Sequence, residues 1–209
     1  MKWTDITVAQ FQAVHKLQKA QMDDFDRLTE IIAVMYGMTA KEVDERPIAD
    51  YNKLAKGIQF MITDDIPGKV ARYVNIGRKR YFLHTPPDKI KHRQFLEIQH
   101  FSQDVIGNLH YLLASICVPV NFRILKGSNN VNHFQDYAND FLQAKIVDVY
   151  HACVFFCKVY EASLRSTADY LMRTMEDKEQ ALEVWTQLNN SADIMAGFSQ
   201  QNKSPISVG

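Results

Sequence analysis

The sequence predicts a mainly α fold: a multi-helix bundle around one long central helix, with a small β-hairpin inserted. Three observations predict it. Apolar residues recur every three or four positions through most of the 209 residues, the spacing that gathers them on one helix face. Helix start and stop signals follow one another in order through the first sixty residues. One segment, 71–84, instead alternates and is rich in β-branched and aromatic residues around Gly77, which reads as two strands and a turn.

Thr7 is placed to cap a first helix to about residue 20, with Val8, Phe11, Val14 and Leu17 as its stripe. Asp23, Asp24 and Asp26 crowd the first turn of a second, where the helix dipole favours negative charge. Its stripe is Phe25, Leu28, Ile31, Ile32 and Met35, and Gly37 is placed to end it. Thr39 and Glu42 form a capping box that opens a short third helix. Pro47 suits the first positions of a fourth, running to about Met61. After the hairpin, Pro86 and Pro87 force extended backbone. Helices are then expected over about 89–103, 105–117 and 134–142, with a loop at 127–130. The longest element spans about 144–175, with Ile146, Val149, Cys153, Phe156, Tyr160, Leu164, Ala168, Leu171 and Met175 on its stripe. Around 153–159 it is apolar nearly all round, which suits a buried central helix. A last helix covers about 178–188.

A hydrophobic content of 46% is ample for a core, and the length suits one domain. The division is a single helical domain over 1–199 and a polar tail over 200–209. Within the domain lie an N-terminal helical subdomain (1–62), a hairpin arm (69–85) and C-terminal helices (88–199). Lys and Arg balance Asp and Glu at 24 each, so no global field favours nucleic acid or an anionic membrane. Locally, 22–50 is acidic and 69–93 basic. That asymmetry could help copies stack head to tail, but two solvated faces of one domain are the favoured reading. The longest apolar stretch, 109–120, is interrupted by His110, Ser115 and Pro119 and falls short of the roughly 20 residues of a membrane span. Trp3, Asp5 and Gln10 stand where a signal peptide needs an apolar run. The three cysteines, odd in number and set among apolar residues, point to a reducing compartment. A soluble protein, intracellular at synthesis, is expected.

Catalytic and metal chemistry is not indicated. Cys153 and Cys157, four apart with His151 nearby, offer two ligands to zinc but no third and fourth, and buried thiols are the favoured reading. Cys117, between Ile116 and Val118, is likewise read as core. The seven histidines form no His-x-x-x-His pair, and His92 and His100, eight apart, are a weak signal. Gly68, Gly77, Gly107 and Gly127 make no phosphate loop, and the paired carboxylates at 23–26 and 64–65 look like helix-start and turn residues. No enzyme activity, cofactor or metal is expected. The basic run Arg78-Lys79-Arg80 beside Tyr73, Tyr81 and Phe82 has three readings: a small nucleic-acid surface, edge protection, or a strand edge open to a neighbour.

The N-terminal segment resembles tail assembly chaperones and related morphogenesis proteins of tailed bacteriophages. Ile6-Thr7-Val8-Ala9-Gln10-Phe11, the helix ending Ile31 to Gly37, and the capping-box unit from Met38 through Leu54 carry the resemblance. The later part is similar to proteins of gut Bacteroidales (crAss-like and related) phages. It matches in the segments beginning Val74-Asn75-Ile76-Gly77, Phe95-Leu96-Glu97 and Asn108-Leu109-His110, the last of which ends at Val118-Pro119. The likeness spans roughly 6–175. It implies a non-enzymatic protein of tail or neck morphogenesis that contacts tail, neck or portal components and forms a homo-oligomer, in the host cytoplasm at synthesis. Two roles compete within it: a transient chaperone covering the apolar helical face of a tail-length-determining protein, which requires an exposed groove, and a permanent ring or connector subunit of the virion. A phage regulatory protein that binds nucleic acid is a third, less favoured reading. Candidate contact residues are Tyr73, Arg78, Arg80, Tyr81 and Phe82 on the hairpin and Phe11, Phe25 and Tyr51 on the first helices, with core packing the favoured role for the phenylalanines.

Overall fold

A computed structural model describes residues 1–83, 92–120, 135 and 137–200. The helix caps of the first forty residues act as read. The Thr7 hydroxyl accepts the Gln10 N–H and the Gln10 side chain accepts the Thr7 N–H, opening α1 (Val8–Lys19). Asp23 accepts the N–H groups of Phe25 and Asp26 at the start of α2 (Asp24–Tyr36). That helix stops at Gly37, whose φ of 67° is left-handed and lets the Met38 N–H return to the Ala33 carbonyl. Thr39 and Glu42 bond reciprocally to open α3 (Ala40–Asp44). The fourth helix is shorter than the sequence suggests. It runs as α4 (Ile48–Ile58), bends at Gln59, and continues as α5 (Phe60–Thr63), which carries Phe60 edge-on to Trp3 at 5.3 Å.

The hairpin forms β1 (Tyr73–Ile76) and β2 (Lys79–Leu83), with Gly77 at φ 58° in the two-residue turn. It is not an isolated arm, because β3 (Cys117–Pro119) pairs antiparallel with β2 and completes a sheet of order β1-β2-β3. The helix expected over 105–117 is accordingly shorter. After α6 (His92–Phe101) and a 3-10 turn at Ser102–Asp104 come turn residues, then α7 (Leu109–Ile116), and Cys117 leaves the helix to enter the sheet. Pro119, which lacks an N–H, is tolerated because β3 is an edge among the described residues.

The sheet's inner face is apolar. Tyr81 packs on Phe141 and Tyr137 of the segment leading into and forming α8 (Ala138–Leu142). Its hydroxyl donates to Asp140, which also takes a 2.7 Å hydrogen bond from Lys79. Burial works against the Asp140 charge, but the bonds from Lys79 and Tyr81 outweigh it and hold the carboxyl below the usual range. A depressed folded pKa contributes stability above the unfolded value, near about 4, that is lost as pH falls through the folded value. Asp140→Asn is therefore expected to melt below the native chain at neutral pH, with the gap closing on acidification in a series of thermal melts.

The central helix is α9 (Ile146–Thr174), which buries Ile146, Val149, Cys153, Phe156, Tyr160, Leu164 and Ala168 as its stripe predicts; Leu171 and Met175 are half-buried. It runs antiparallel to α10 (Lys178–Gln200): Trp185 donates to Asp169, Arg165 reaches Asn189 and Asp193, and Phe198 lies beside Tyr150. This last helix is longer than the expected 178–188. Asn189, Asn190 and Ser191 are weak helix formers. Beyond them Ala192, Met195, Ala196 and Phe198 are buried, and that packing overrides propensity.

Two features tie the N-terminal helices to α9. The Val8 N–H donates to Ala144 and the Ile146 N–H to Ile6, a short bridge sealed by Lys145 on the Asp5 carbonyl. At Gly68, φ is 142° and a Cβ would stand 2.9 Å from both the Val147 carbonyl oxygen and the His151 ring, so the chain crosses α9 where only glycine fits. The expected Pro86-Pro87 break, the 127–130 loop, the start of the 134–142 helix and the tail beyond 200 lie outside the described residues.

Candidate contact surfaces

Two partly exposed apolar surfaces stand out among the described residues. The first is a groove of about 330 Å³ between the N-terminal helices. Val14 of α1 lies at its base, Leu28 and Ile31 of α2 form one wall, and Ala55, Ile58, Met61 and Ile62 of α4 and α5 form the other. Lys56 and Gln59 are its polar members, and Ile62 stays 52% exposed. α2 is cored by Thr29, Ile32, Ala33 and Met35, which leaves Leu28 and Ile31 half-buried on a neighbouring face. The α2 stripe is wider than one helix face needs for burial, and that width was the signal for the groove. The α4–α5 wall carried no signal of its own, since it depends on the bend at Gln59.

The second is the outer face of the sheet. Strand alternation sends Val74, Ile76, Tyr81 and Leu83 inward and Tyr73, Asn75, Arg80 and Phe82 outward. The register sets Tyr73, Phe82 and Val118 in one row across the three strands. The Tyr73 and Phe82 rings lie 5.3 Å apart, and the Arg80 guanidinium sits 4.1 Å over the Tyr73 ring. Tyr73 is 43% exposed, and Val118 and Val120 are also exposed. Arg78, at the turn, is exposed.

The eight candidate residues therefore divide. Tyr73, Arg80 and Phe82 share the sheet's outer side, and Arg78 is exposed at the turn. Tyr81, on the same strand, is 1% exposed and points the other way, so it supports the sheet from beneath. Phe11 is equally buried, between Trp3 and Tyr150. Phe25 is 60% exposed, its ring stacked at 5.6 Å and 16° on the buried Tyr51.

The thiols are core. Cys117, Cys153 and Cys157 are buried and unbridged. Burial pushes the Cys117 thiol far up, and the Cys157 hydrogen bond together with burial does the same to Cys153. All three lack the electropositive, accessible surroundings that activate a thiolate. The His151 Nε2 lies 2.9 Å from the Ile66 carbonyl rather than beside the cysteines' sulfur atoms. Among the described residues no group of three His, Cys, Asp or Glu side chains could hold a metal ion, and no helix is long and apolar enough to cross a membrane. No family model, curated protein or solved structure matches the chain.

Proposed function

We propose that this chain is a non-enzymatic bacteriophage assembly protein that works by protein–protein contact in tail or neck morphogenesis, in the manner of a tail assembly chaperone. The groove walled by α2 and by α4–α5 carries the reading. An amphipathic helix of a partner presents an apolar stripe of matching character, and seating it would bury Leu28, Ile31 and Ile62. A tail-length-determining protein, long and helical, exposes such stripes until it is assembled.

The test is co-expression with the tail-length protein of the same phage. The native chain is expected to keep that protein soluble and to co-purify with it. Ile31→Asp, which places a charge in the groove wall, is expected to weaken capture at least about tenfold, the scale of a central contact residue. A thermal melt separates lost binding from lost fold. Capture unaffected by Ile31→Asp in a folded variant would overturn the groove's role.

One observation favours the ring reading as the alternative: the acidic start of α2 and the basic hairpin are two exposed segments of opposite sign. Quantitative mass spectrometry of purified virions distinguishes the two. A stoichiometric copy number supports a ring subunit and absence supports a chaperone.

A further inference from the structure

The groove between α2 and α4–α5 is longer than its enclosed part, and one end of it is acidic. From this we infer that its occupant is an amphipathic helix whose apolar stripe is flanked by lysine or arginine where it passes over Phe25. Charge then chooses among the apolar helices that could enter. The inference rests on the groove reading above and adds the partner's charge to it.

Both walls run on past the enclosed part. Phe25 lies one turn before Leu28 on α2, and Tyr51 one turn before Ala55 on α4. Their rings stack at 5.6 Å and 16°, which joins the two walls at that end. Phe25 is 60% exposed, and Ile48, three residues before Tyr51, is 70% exposed. Ile48, Ala55 and Ile62 stand seven apart and share a helix face. At the rise of an α-helix the wall from Ile48 to Ile62 spans about 21 Å, room for about four turns of a partner helix.

The ring stack is held still. Asp23 accepts the Phe25 N–H at 2.7 Å, and the Tyr51 and Thr29 hydroxyl oxygens lie 3.5 Å apart. A surface fixed in this way loses little freedom on docking.

Charge is uneven along the groove. Residues 22–50 carry eight acidic and three basic side chains. Asp24 and Asp26 flank Phe25, and Asp50 precedes Tyr51. Asp24 pairs with Arg27 and Asp50 with Lys53, while Asp26 makes no ion pair among the described residues. At the other end Lys56 is the one charged residue of the lining. A helix with acidic flanks would set like charges together over Phe25, which costs free energy, and a basic one meets its complement. Two copies facing each other through this end would set acid against acid. Each exposed pair is worth little by itself, so the selection comes from several acids together and is strongest at low salt.

The probes are two synthetic helical peptides of about four to five turns with the same leucine stripe. One carries lysine at the flanking positions and the other glutamate. Each is titrated by fluorescence anisotropy with the full chain. At low salt the lysine peptide is expected to bind at least about tenfold more tightly, the gap narrowing as salt screens the charges. The double variant Asp26→Lys, Asp50→Lys is expected to close the gap with its fold intact in a thermal melt. Ile31→Asp adds an acid but spoils the apolar wall, and is expected to weaken the lysine peptide about tenfold. Ile62→Asp, at an exposed position, does the same should Ile31→Asp fail to fold. Equal binding of the two peptides, both lost in Ile31→Asp, would overturn the charge rule and leave the groove reading standing. So would binding of neither peptide by a chain that still captures the tail-length protein. A lysine peptide held undiminished by folded Ile31→Asp and Ile62→Asp would be a polycation on an acidic surface, and would overturn both readings. A native dimer that Ile62→Asp dissociates would put a second copy in the groove, with the same consequence.

Discussion

Phe156→Ala is expected to cost about 3–5 kcal/mol, the range for removing a fully buried aromatic ring. Phe156 lies on the most enclosed stretch of α9, stacked on Tyr160 at 5.4 Å and 22°, and Tyr160 in turn lies 5.9 Å from Phe95 of α6. The ring thus joins the central helix to the helix leading toward the sheet. α9 cannot close the void by shifting, because α10 packs along its length. For a chain of this size the loss corresponds to a fall of about 6–20 °C in the melting midpoint. It is also a large share of the roughly 5–15 kcal/mol that holds a domain together. Phe156→Leu, which keeps most of the volume, should cost less than about 1.5 kcal/mol. Chemical denaturation of the two variants beside the native chain checks both magnitudes, and equal losses would show that the ring stack, rather than apolar volume, carries the stability.

Gly68→Ala is expected to rival it, although the change adds only one methyl group. A non-glycine residue held at positive φ costs about 1–3 kcal/mol. Here a second penalty adds to it, since the new carbon would stand 2.9 Å from the backbone oxygen of Val147. Helix backbone cannot swing aside as a long side chain can, so the 66–68 segment must lift from α9. Lifting it stretches the contact between His151 Nε2 and the Ile66 carbonyl. The readout is a lower melting midpoint, accompanied by faster amide exchange at residues 66–70. By contrast Gly77→Ala meets nothing within 4 Å and should show only the conformational penalty of its turn.

The caps and the central stripe were legible because they are local. Thr7, Asp23, Gly37 and Thr39 act on backbone groups within four residues of themselves, so no distant partner is needed to read them. The α9 stripe was legible because its period is strict over seven turns. Cys117-Val118-Pro119 was not, because three residues make a strand only when a ladder partner, here Tyr81 to Leu83, lies beside them. The length of α10 escaped for the same reason: burial against α9 outweighs the poor propensity of Asn189 to Ser191. At the contact surfaces, Phe11 and Phe25 looked alike in sequence, each on an apolar stripe near a helix start. Periodicity tells which side of a helix is apolar. How far the neighbouring helix reaches decides whether the residue is covered, and α1 is roofed by Trp3 and Tyr150 where Phe25 has only Tyr51 beneath it. Tyr81 was misread among the hairpin contacts by one position of the pleat, since its strand neighbours Arg80 and Phe82 face outward.

The bridge between the segment around Ile6 and the start of α9 has a consequence for how the molecule is made. Asp5 and Lys145 are 140 positions apart in the chain. At a synthesis rate of about 5–20 residues per second, the first helix therefore waits roughly 7–28 s on the ribosome before its clasp is translated. During that interval Trp3, Ile6 and Phe11 have no α9 to cover them, so this apolar segment needs a holding factor until its partner helix is made.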